Sequence, residues 1–362
     1  MISPSKNWFN EINYLRAIAI IGVLIIHTTD STAEVKNLTV LTFSLMYIEE
    51  LIRFAVPMFI FVSGFVLYNK YKSELPVKDF YKKRFMSILI PYIIFSVLYC
   101  IINTQLGLFP TFTFNSVITS IFNFSASGQF WYIQLILTFY IFYPAIIAYY
   151  EITKDRFGIY ILTALFSPIL IMYILGSFIP SFGFALSTPF KYLIYFLFGI
   201  YINDNYAKIC PLLERISMKK VILLVALIVS LPFVSMFLVV DPRCGTQFSN
   251  SIPYYYQLAL VSTHILHICI FMFCLYLLLI YKPRLGILKK IGEYSYGIFL
   301  VHAFFHDFFL IYIFPRFSIF PTSLNFYIIL FAVMLIMSYF TVKLMLNNRF
   351  TTYMITGKLI TD

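Results

Sequence analysis

Long apolar runs recur along the whole chain, separated by shorter stretches that hold most of the charged residues. Each run is about 20 residues long, the helix length needed to cross the ~30 Å hydrocarbon core of a bilayer. Runs of this length predict spanning helices, because strands are much shorter. The pattern therefore predicts an all-α, polytopic integral membrane protein with ten spans, at about residues 12–30, 51–68, 85–103, 130–150, 157–176, 188–203, 220–240, 256–281, 292–313 and 324–346.

The composition agrees with a membrane protein and excludes an ordinary soluble domain. The chain is 61% hydrophobic and 11% charged, whereas soluble domains carry about 25% charged residues. The net charge of +11 indicates basic loops beside a membrane, and we expect no nucleic-acid partner. The five cysteines form no disulfide framework. Without a repeat, a low-complexity tract or a soluble segment, residues 1–362 are predicted to form a single membrane domain.

Lysine and arginine fall in alternate loops, which predicts an orientation. Loops 69–84, 204–220 and 282–290 are rich in both, whereas 104–129 and 176–190 contain no charged residue. Because basic loops remain in the cytoplasm, both termini are predicted to be cytoplasmic in a multi-pass protein of the cell membrane. An even number of spans agrees with that prediction.

The first apolar run contains an arginine and a histidine, both costly at this depth. Arg16 and His27 are separated by ten residues. Eleven helical steps make three turns plus about 20°, so both side chains share one face, about 16 Å apart along the axis. Asp30 lies one turn beyond His27 and is positioned to fix its tautomer. Alternatively, Arg16 snorkels to the headgroups and His27 belongs to a packed core.

The connection 104–129 is aromatic and uncharged. Its length and composition predict a re-entrant or surface-lying segment rather than a span. It forms either a lipid-facing lip or a wall over an external cleft, and both interpretations remain open at this stage.

Other ionisable side chains lie in or beside the apolar runs. Arg53 opens the second span with Glu50 one turn earlier, which indicates either an interfacial salt bridge or recognition of an acceptor at the outer mouth. His302 lies near the middle of the ninth span. A structural or positioning role is predicted for it.

A metal site is the least favoured interpretation of the histidines. The candidate ligands would be His264 and His267 with His302 and His306, the last followed by Asp307. No cysteine or carboxylate pattern accompanies them. We therefore expect no metal.

Five segments in order resemble the membrane-bound acyltransferase 3 family. YLRAIAIIGVLIIHT resembles its first span, with a basic residue, ten residues and a histidine. The further segments are AVPMFIFVSGFVLY with Ser63 and Gly64, KKRFMSILIPYIIF at the third span, GQFWYIQLIL, and GEYSYGIFLVHAFF with His302. Together they run from residue 14 to about 305.

This resemblance implies an O-acyltransferase with acyl-coenzyme A as co-substrate and no bound cofactor. It implies that Arg16 is a fixed cation and His27 the catalytic base. The basic residues at the third span would hold donor phosphates, and these are Lys82, Lys83 and Arg84. Ser87 stands where some members carry a second arginine, and Gln129 replaces the histidine before Trp131. We predict that Gln129 and Trp131, with Arg53 and Glu50, contact the acceptor.

Among subfamilies the chain looks most like the staphylococcal intercellular-adhesion type, which modifies poly-N-acetylglucosamine in biofilm. The shared words are YLRA, ILIPYI, GQ before the tryptophan, and ITGK near the C-terminus. The acyl group, acetyl or succinyl, stays open.

Three functions compete on the sequence alone. The favoured one is an integral membrane O-acyltransferase acting on an exported or cell-surface polysaccharide, in contact with lipid and with a possible glycan synthase complex. The alternative is a transporter or flippase that exports the polysaccharide, although the paired broken helices common in transporters are not evident. A structural partner in a synthase complex would leave Arg16 and His27 without a role.

Overall fold

The computed structural model describes residues 8–29, 39–109, 112–156, 180–238 and 253–357. These ranges are mostly helical and contain no strand, which confirms the predicted all-α fold. In chain order the helices are α1 Trp8–Thr29, α2 Val40–Ile52, α3 Ala55–Tyr71, α4 Val77–Gln105, α5 Phe114–Phe122, α6 Trp131–Ile141, α7 Tyr143–Thr153, α8 Pro180–Asp204, α9 Tyr206–Glu214, α10 Met218–Leu238, α11 Pro253–Tyr281, α12 Gly286–Glu293, α13 Ser295–Phe308, α14 Leu324–Met345 and α15 Arg349–Thr356.

Within the described ranges, six helical segments are long and apolar enough to cross a membrane, or eight if two bent pairs each count as one span. The protein is therefore a polytopic membrane protein, but the predicted count of ten spans is not confirmed. The predicted span 130–150 is divided into α6 and α7, which are bent by 60°. The predicted span 157–176 lies outside the described residues.

The long connection after α4 contains a short helix instead of a span. Helix α5 has nine residues, or about 14 Å of rise, which is too short to cross a bilayer. It begins with a capping box, in which the side chains of Thr113 and Ser116 each accept a hydrogen bond from the other's backbone N–H. Phe114 and Phe122 at its two ends are exposed, as expected for a helix that lies on a surface.

The chain divides into two compact units. Unit one comprises residues 1–59 and 207–341, and unit two comprises 60–206 and 342–362. These units describe how the helices pack. They do not test the prediction that residues 1–362 form a single membrane domain, which stays a prediction.

Unit one is organised around α1, which packs against α2, α12 and α13. The hydroxyl of Tyr14 donates to the carbonyl of Pro283 at 2.7 Å. Gly292 of α12 lies against the backbone of Asn13, so that a Cβ at this glycine would come within 1.8 Å of the Asn13 oxygen. Small residues let membrane helices approach this closely. The contact fixes the level of α1 along α12.

Helix α1 ends with two threonines that turn their hydroxyls back onto the helix. Thr28 donates to the carbonyl of Leu24 at 2.8 Å, and Thr29 donates to that of Ile26 at 2.9 Å. Ile26 is one of the last four residues of α1, whose carbonyls have no partner within the helix, so the Thr29 bond satisfies a polar group that lipid cannot. Helix α1 therefore continues unbroken through His27.

Unit two contains a reciprocal glycine contact between α3 and α8. A Cβ at Gly64 would come within 2.2 Å of the Phe196 carbonyl oxygen, and one at Gly199 within 2.1 Å of the Phe61 oxygen. The two backbones therefore touch at successive turns, as in small-residue interfaces of membrane helices. This contact accounts for Gly64, whereas Ser63 beside it is half-buried. Gly199 was not identified from the sequence.

Helix α12 offers a matched pair of glycines that tests the α1 contact. We expect Gly292→Ala to lower the thermal unfolding midpoint in detergent by several degrees, because overpacking a close contact costs about 1–3 kcal/mol. Gly286→Ala is the control, since nothing lies within 4 Å of its Cβ position and alanine favours the helix. Equal midpoints for the two variants would contradict a close contact at Asn13.

Candidate functional site

Arg16 and His27 both lie on α1 as the sequence predicts. The helix is continuous from residue 8 to residue 29, so the 11 steps between them keep both side chains on one face, about 16 Å apart. Both side chains are half-buried. The spacing and shared face are therefore properties of the folded protein.

His27 faces a second histidine that is distant in sequence. The rings of His27 and His302 have centroids 5.0 Å apart and planes inclined by 43°. His302 lies on α13 and is completely buried. The sequence had predicted a structural or positioning role for His302 without naming its neighbour.

The backbone fixes the tautomer of His302. Its Nδ1 lies 2.8 Å from the carbonyl oxygen of Phe299 and 3.2 Å from that of Ile298. Because a carbonyl only accepts, Nδ1 carries the hydrogen, and in the neutral ring Nε2 presents a lone pair. That Nε2 is buried and has no hydrogen-bond partner among the described residues.

A third histidine lies one helical turn beyond His302. Nδ1 of His306 lies 2.8 Å from a carboxylate oxygen of Asp307, and both side chains are partly exposed. Within the described part of the chain, its Nε2 is also buried and without a hydrogen-bond partner. Directly after these residues α13 widens into a π-helical turn, Phe309–Ile313, a backbone form that occurs frequently at functional sites.

The proposed partner of His27 in the sequence, Asp30, lies outside the described residues. The neighbour that the structure does describe is His302, which shares an aromatic contact and an electrostatic interaction with His27. Sequence reasoning missed this pairing because no local pattern connects residues 27 and 302. The family motif that contains His302 was the only signal.

Arg84 lies in unit two within a group of tyrosines. Its guanidinium carbon is 6.0 Å from the centre of the Tyr140 ring, within cation–π range. Three polar atoms here are buried and lack a hydrogen bond of regular geometry to any described residue: Arg84 Nε and the hydroxyls of Tyr71 and Tyr143. Tyr71 and Tyr143 both interact electrostatically with Arg84. We call these three residues the Arg84 cluster.

The residues around Arg84 differ in exposure. Lys82 and Lys83 are exposed, so their charges are hydrated. Ser87, which stands at the position of a second arginine in some relatives, donates its hydroxyl to the carbonyl of Arg84 at 3.2 Å. Among Lys82, Lys83 and Arg84, Arg84 is therefore the residue with a buried side-chain nitrogen, its Nε.

The predicted acceptor residues are divided between the two units of the chain. In unit one, Arg53 makes ion pairs with Glu49 at 3.0 Å and Glu50 at 3.1 Å, and its side chain is 48% exposed. In unit two, Gln129 is buried and accepts a 2.6 Å bond from the hydroxyl of Ser127. Trp131 is exposed at the start of α6. The geometry of Arg53 matches the interfacial salt bridge that the sequence allowed.

A further polar cluster in unit two was not identified from the sequence. The carboxylate of Asp204 accepts hydrogen bonds from Tyr68 at 3.0 Å and Tyr150 at 2.8 Å. Tyr68 also lies 3.2 Å from Glu151, which pairs with Lys154. These contacts join the ends of α3, α7 and α8. Asp204 had no signal in the sequence, since it lies beyond an apolar run without a motif.

The histidines do not assemble into a metal site in the described ranges, where no three histidine, cysteine or carboxylate side chains converge to hold an ion. His264 and His267 of α11 are both buried. His267 interacts with His264 and with Arg53.

Comparison with known proteins identifies the family. The acyltransferase 3 family, described as an acyltransferase domain, matches residues 9–343. No curated protein and no solved structure matches the chain significantly. The match covers nearly the whole chain, including Arg16, His27, Arg84 and His302. The chain therefore belongs to the acyltransferase 3 family and is a membrane-embedded acyltransferase.

Proposed function

We propose that this acyltransferase moves an acyl group, acetyl or succinyl, from cytoplasmic acyl-coenzyme A to a hydroxyl of an exported or cell-surface polysaccharide. The observation that carries the proposal is the pairing on α1. A permanent cation, Arg16, and a titratable base, His27, share one face about 16 Å apart. This arrangement suits two substrates that approach from opposite sides of a bilayer.

The chemistry assigned to His27 is general base catalysis. Its imidazole takes the proton from the acceptor hydroxyl as the oxygen attacks the thioester carbonyl. The carbon–sulfur bond then breaks, and the imidazolium returns the proton to the leaving thiolate, so that an ester and free coenzyme A result. The contact with buried His302 supports this role, because a packed neighbour holds the His27 ring in one orientation.

The Arg84 cluster is proposed as the binding site for phosphates of the donor. It presents one guanidinium nitrogen and two hydroxyls that are buried and make no hydrogen bond of regular geometry with the described residues. Phosphate oxygens accept hydrogen bonds and carry negative charge, so they match such a group. Lys82 and Lys83, exposed one and two residues earlier, would attract the anion at longer range.

The orientation that this proposal requires has both termini in the cytoplasm of a cell-membrane protein. It is supported by the basic residues that follow α3, accompany α9 and precede α12, on connections that alternate with uncharged ones. With this orientation Arg84 lies on the side where coenzyme A exists, and His27 lies in the outer half of the bilayer.

The acceptor is proposed to be an exopolysaccharide of a biofilm matrix, modified by O-acylation beside its synthase. Support comes from the likeness to the intercellular-adhesion type in the words YLRA, ILIPYI and ITGK. The contacts proposed at the outer side are Gln129 and Trp131, and Arg53 with Glu50 at the mouth of the second span.

Replacing His27 tests the chemical role. We expect His27→Ala to abolish transfer of labelled acetate from acetyl-coenzyme A to the polysaccharide at unchanged membrane level, because no base then faces the hydroxyl. The control is Thr28→Val, since the hydrogen bonds that the Thr28 hydroxyl makes to described residues go to the Leu24 carbonyl and the Met334 sulfur. Transfer at the parent rate by His27→Ala would remove this residue from the mechanism. If the protein were a transporter, neither the parent nor the His27→Ala variant would bind or hydrolyse acetyl-coenzyme A.

Donor kinetics test the Arg84 cluster. We expect Arg84→Gln to raise KM for acetyl-coenzyme A about tenfold, because a hydrogen bond to a charged group contributes about 1.5–3 kcal/mol. Tyr143→Phe should raise KM less. Tyr81→Phe is the control, as the Tyr81 hydroxyl already donates to the carbonyl of Ile141.

The substrate S-acetylpantetheine, which lacks the nucleotide phosphates, separates phosphate binding from folding. Its KM should not change in Arg84→Gln. An equal increase of KM for both donors would contradict phosphate binding at Arg84.

Cysteine labelling tests the orientation. In a background without the five natural cysteines, Ser125→Cys should react with a membrane-impermeant maleimide in whole cells, and Ser73→Cys only after the cells are opened. Both serines are exposed and lie on either side of α4, which is 29 residues long. The opposite labelling pattern would place Arg84 outside and contradict two-sided transfer.

A further inference from the structure

The outer half of α13 carries two hydrogen-bond acceptors that the proposed reaction does not use. Nε2 of His302 and Nε2 of His306 are both buried, and neither has a hydrogen-bond partner in the described ranges. Buried polar atoms without partners are uncommon in proteins and require an explanation. Two of them on one helix, next to the catalytic histidine, indicate that a ligand supplies the missing partners.

The two nitrogens have the same chemical character. Nδ1 of His302 is bonded to the Phe299 carbonyl, and Nδ1 of His306 is bonded to the Asp307 carboxylate. Both partners are acceptors, so in the neutral rings both hydrogens lie on Nδ1 and both Nε2 atoms present lone pairs. The site therefore requires a ligand that donates hydrogen bonds.

The need for a hydrogen-bond donor distinguishes a sugar from the phosphates of coenzyme A. The phosphates of coenzyme A bring only acceptor oxygens at the relevant sites, and these would face two lone pairs. A sugar brings several hydroxyl donors on adjacent carbons. The group of His27, His302 and His306 is therefore matched to a sugar and mismatched to the phosphates of the donor.

The spacing suits a single sugar unit. His302 and His306 are four residues apart on α13 and lie on one face, with Cβ atoms about 5–6 Å apart. His27 stacks beside His302 at 5.0 Å. The three rings therefore lie within the span of one sugar unit.

Side-chain exposure changes along α13 and indicates the end from which a ligand would enter. His306 and Asp307 are partly exposed, at 18% and 25%, whereas His302 one turn earlier is completely buried. The π-helical turn Phe309–Ile313 follows on the exposed side. A ligand that enters from this end meets His306 first, then His302 and His27.

We propose that His302 and His306 form an acceptor subsite that binds a sugar unit through two of its hydroxyls and presents a third to His27. The proposal rests on the proposed function and makes it specific. The acceptor carries several hydroxyls, and the protein recognises it through the hydrogen bonds that these hydroxyls donate. His302 and His306 are then substrate-binding residues in addition to any packing role.

The test uses full-length protein in nanodiscs, labelled acetyl-coenzyme A and polysaccharide purified from cells that lack this protein. We expect His302→Phe and His306→Phe each to raise KM for the polysaccharide about fivefold, the effect of one lost hydrogen bond. KM for acetyl-coenzyme A should not change in either variant. His302→Gln and His306→Gln should retain part of the affinity, since an amide oxygen still accepts.

His267→Phe is the matched control. It removes an equally buried histidine of unit one, on α11, whose electrostatic neighbours are His264 and Arg53. We expect unchanged KM for both substrates. If His302→Phe fails to fold, the partly exposed His306→Phe and the two glutamine variants decide the question.

Two results would overturn the subsite. Unchanged KM for the polysaccharide in the His306 and His302 variants would show that their lone pairs bind no acceptor. Equal increases of KM for the polysaccharide and for acetyl-coenzyme A would show that they act on His27 or on folding instead. If the parent protein itself transfers no acetate to the polysaccharide, the proposed function fails and this inference fails with it.

Discussion

The contact between α1 and α12 at Asn13 and Gly292 sets the geometry of unit one. Helices in lipid gain little from burying apolar side chains, so close backbone approach and polar contacts determine how they are aligned. Gly292 allows the backbone of α12 to touch that of α1, and α13 begins three residues later. The position of α13 along α1 depends on this contact, and at that position His302 lies beside His27. The close approach at Gly292 thus helps to place His302 beside His27, the proposed catalytic base.

The two units present opposite hydrogen-bonding characters. In unit one, the buried nitrogens of His302 and His306 are acceptors, whereas the Arg84 cluster in unit two presents a guanidinium and hydroxyls that donate. An enzyme with a phosphorylated donor and a sugar acceptor must distinguish the two in an apolar environment, where a mismatched polar contact is costly. In this account the polarity of each site performs that distinction.

The features that the sequence predicted correctly depend on residues close together in the chain. Run length predicted an all-α membrane protein, and the spacing of Arg16 and His27 predicted a shared helix face, because helix geometry is regular. The sequence did not predict the break between α6 and α7, since the two halves together form one apolar run of the length of a span. It also missed the pairing of His27 with His302, the contact of Gly199 with Phe61 and the hydrogen bonds of Asp204, because each joins residues distant along the chain. The roles assigned to Gln129, Trp131, Arg53 and Glu50 stay predictions.

The proposed function requires the acyl group to pass from a cytoplasmic donor to an external acceptor. The most direct test uses inverted membrane vesicles that contain the protein, with acetyl-coenzyme A labelled in the acetyl group added outside and the polysaccharide enclosed in the lumen. We expect alkali-labile label on the enclosed polysaccharide, while the intact vesicles exclude coenzyme A. Label that appears only when donor and polysaccharide are on the same side of the membrane would contradict it.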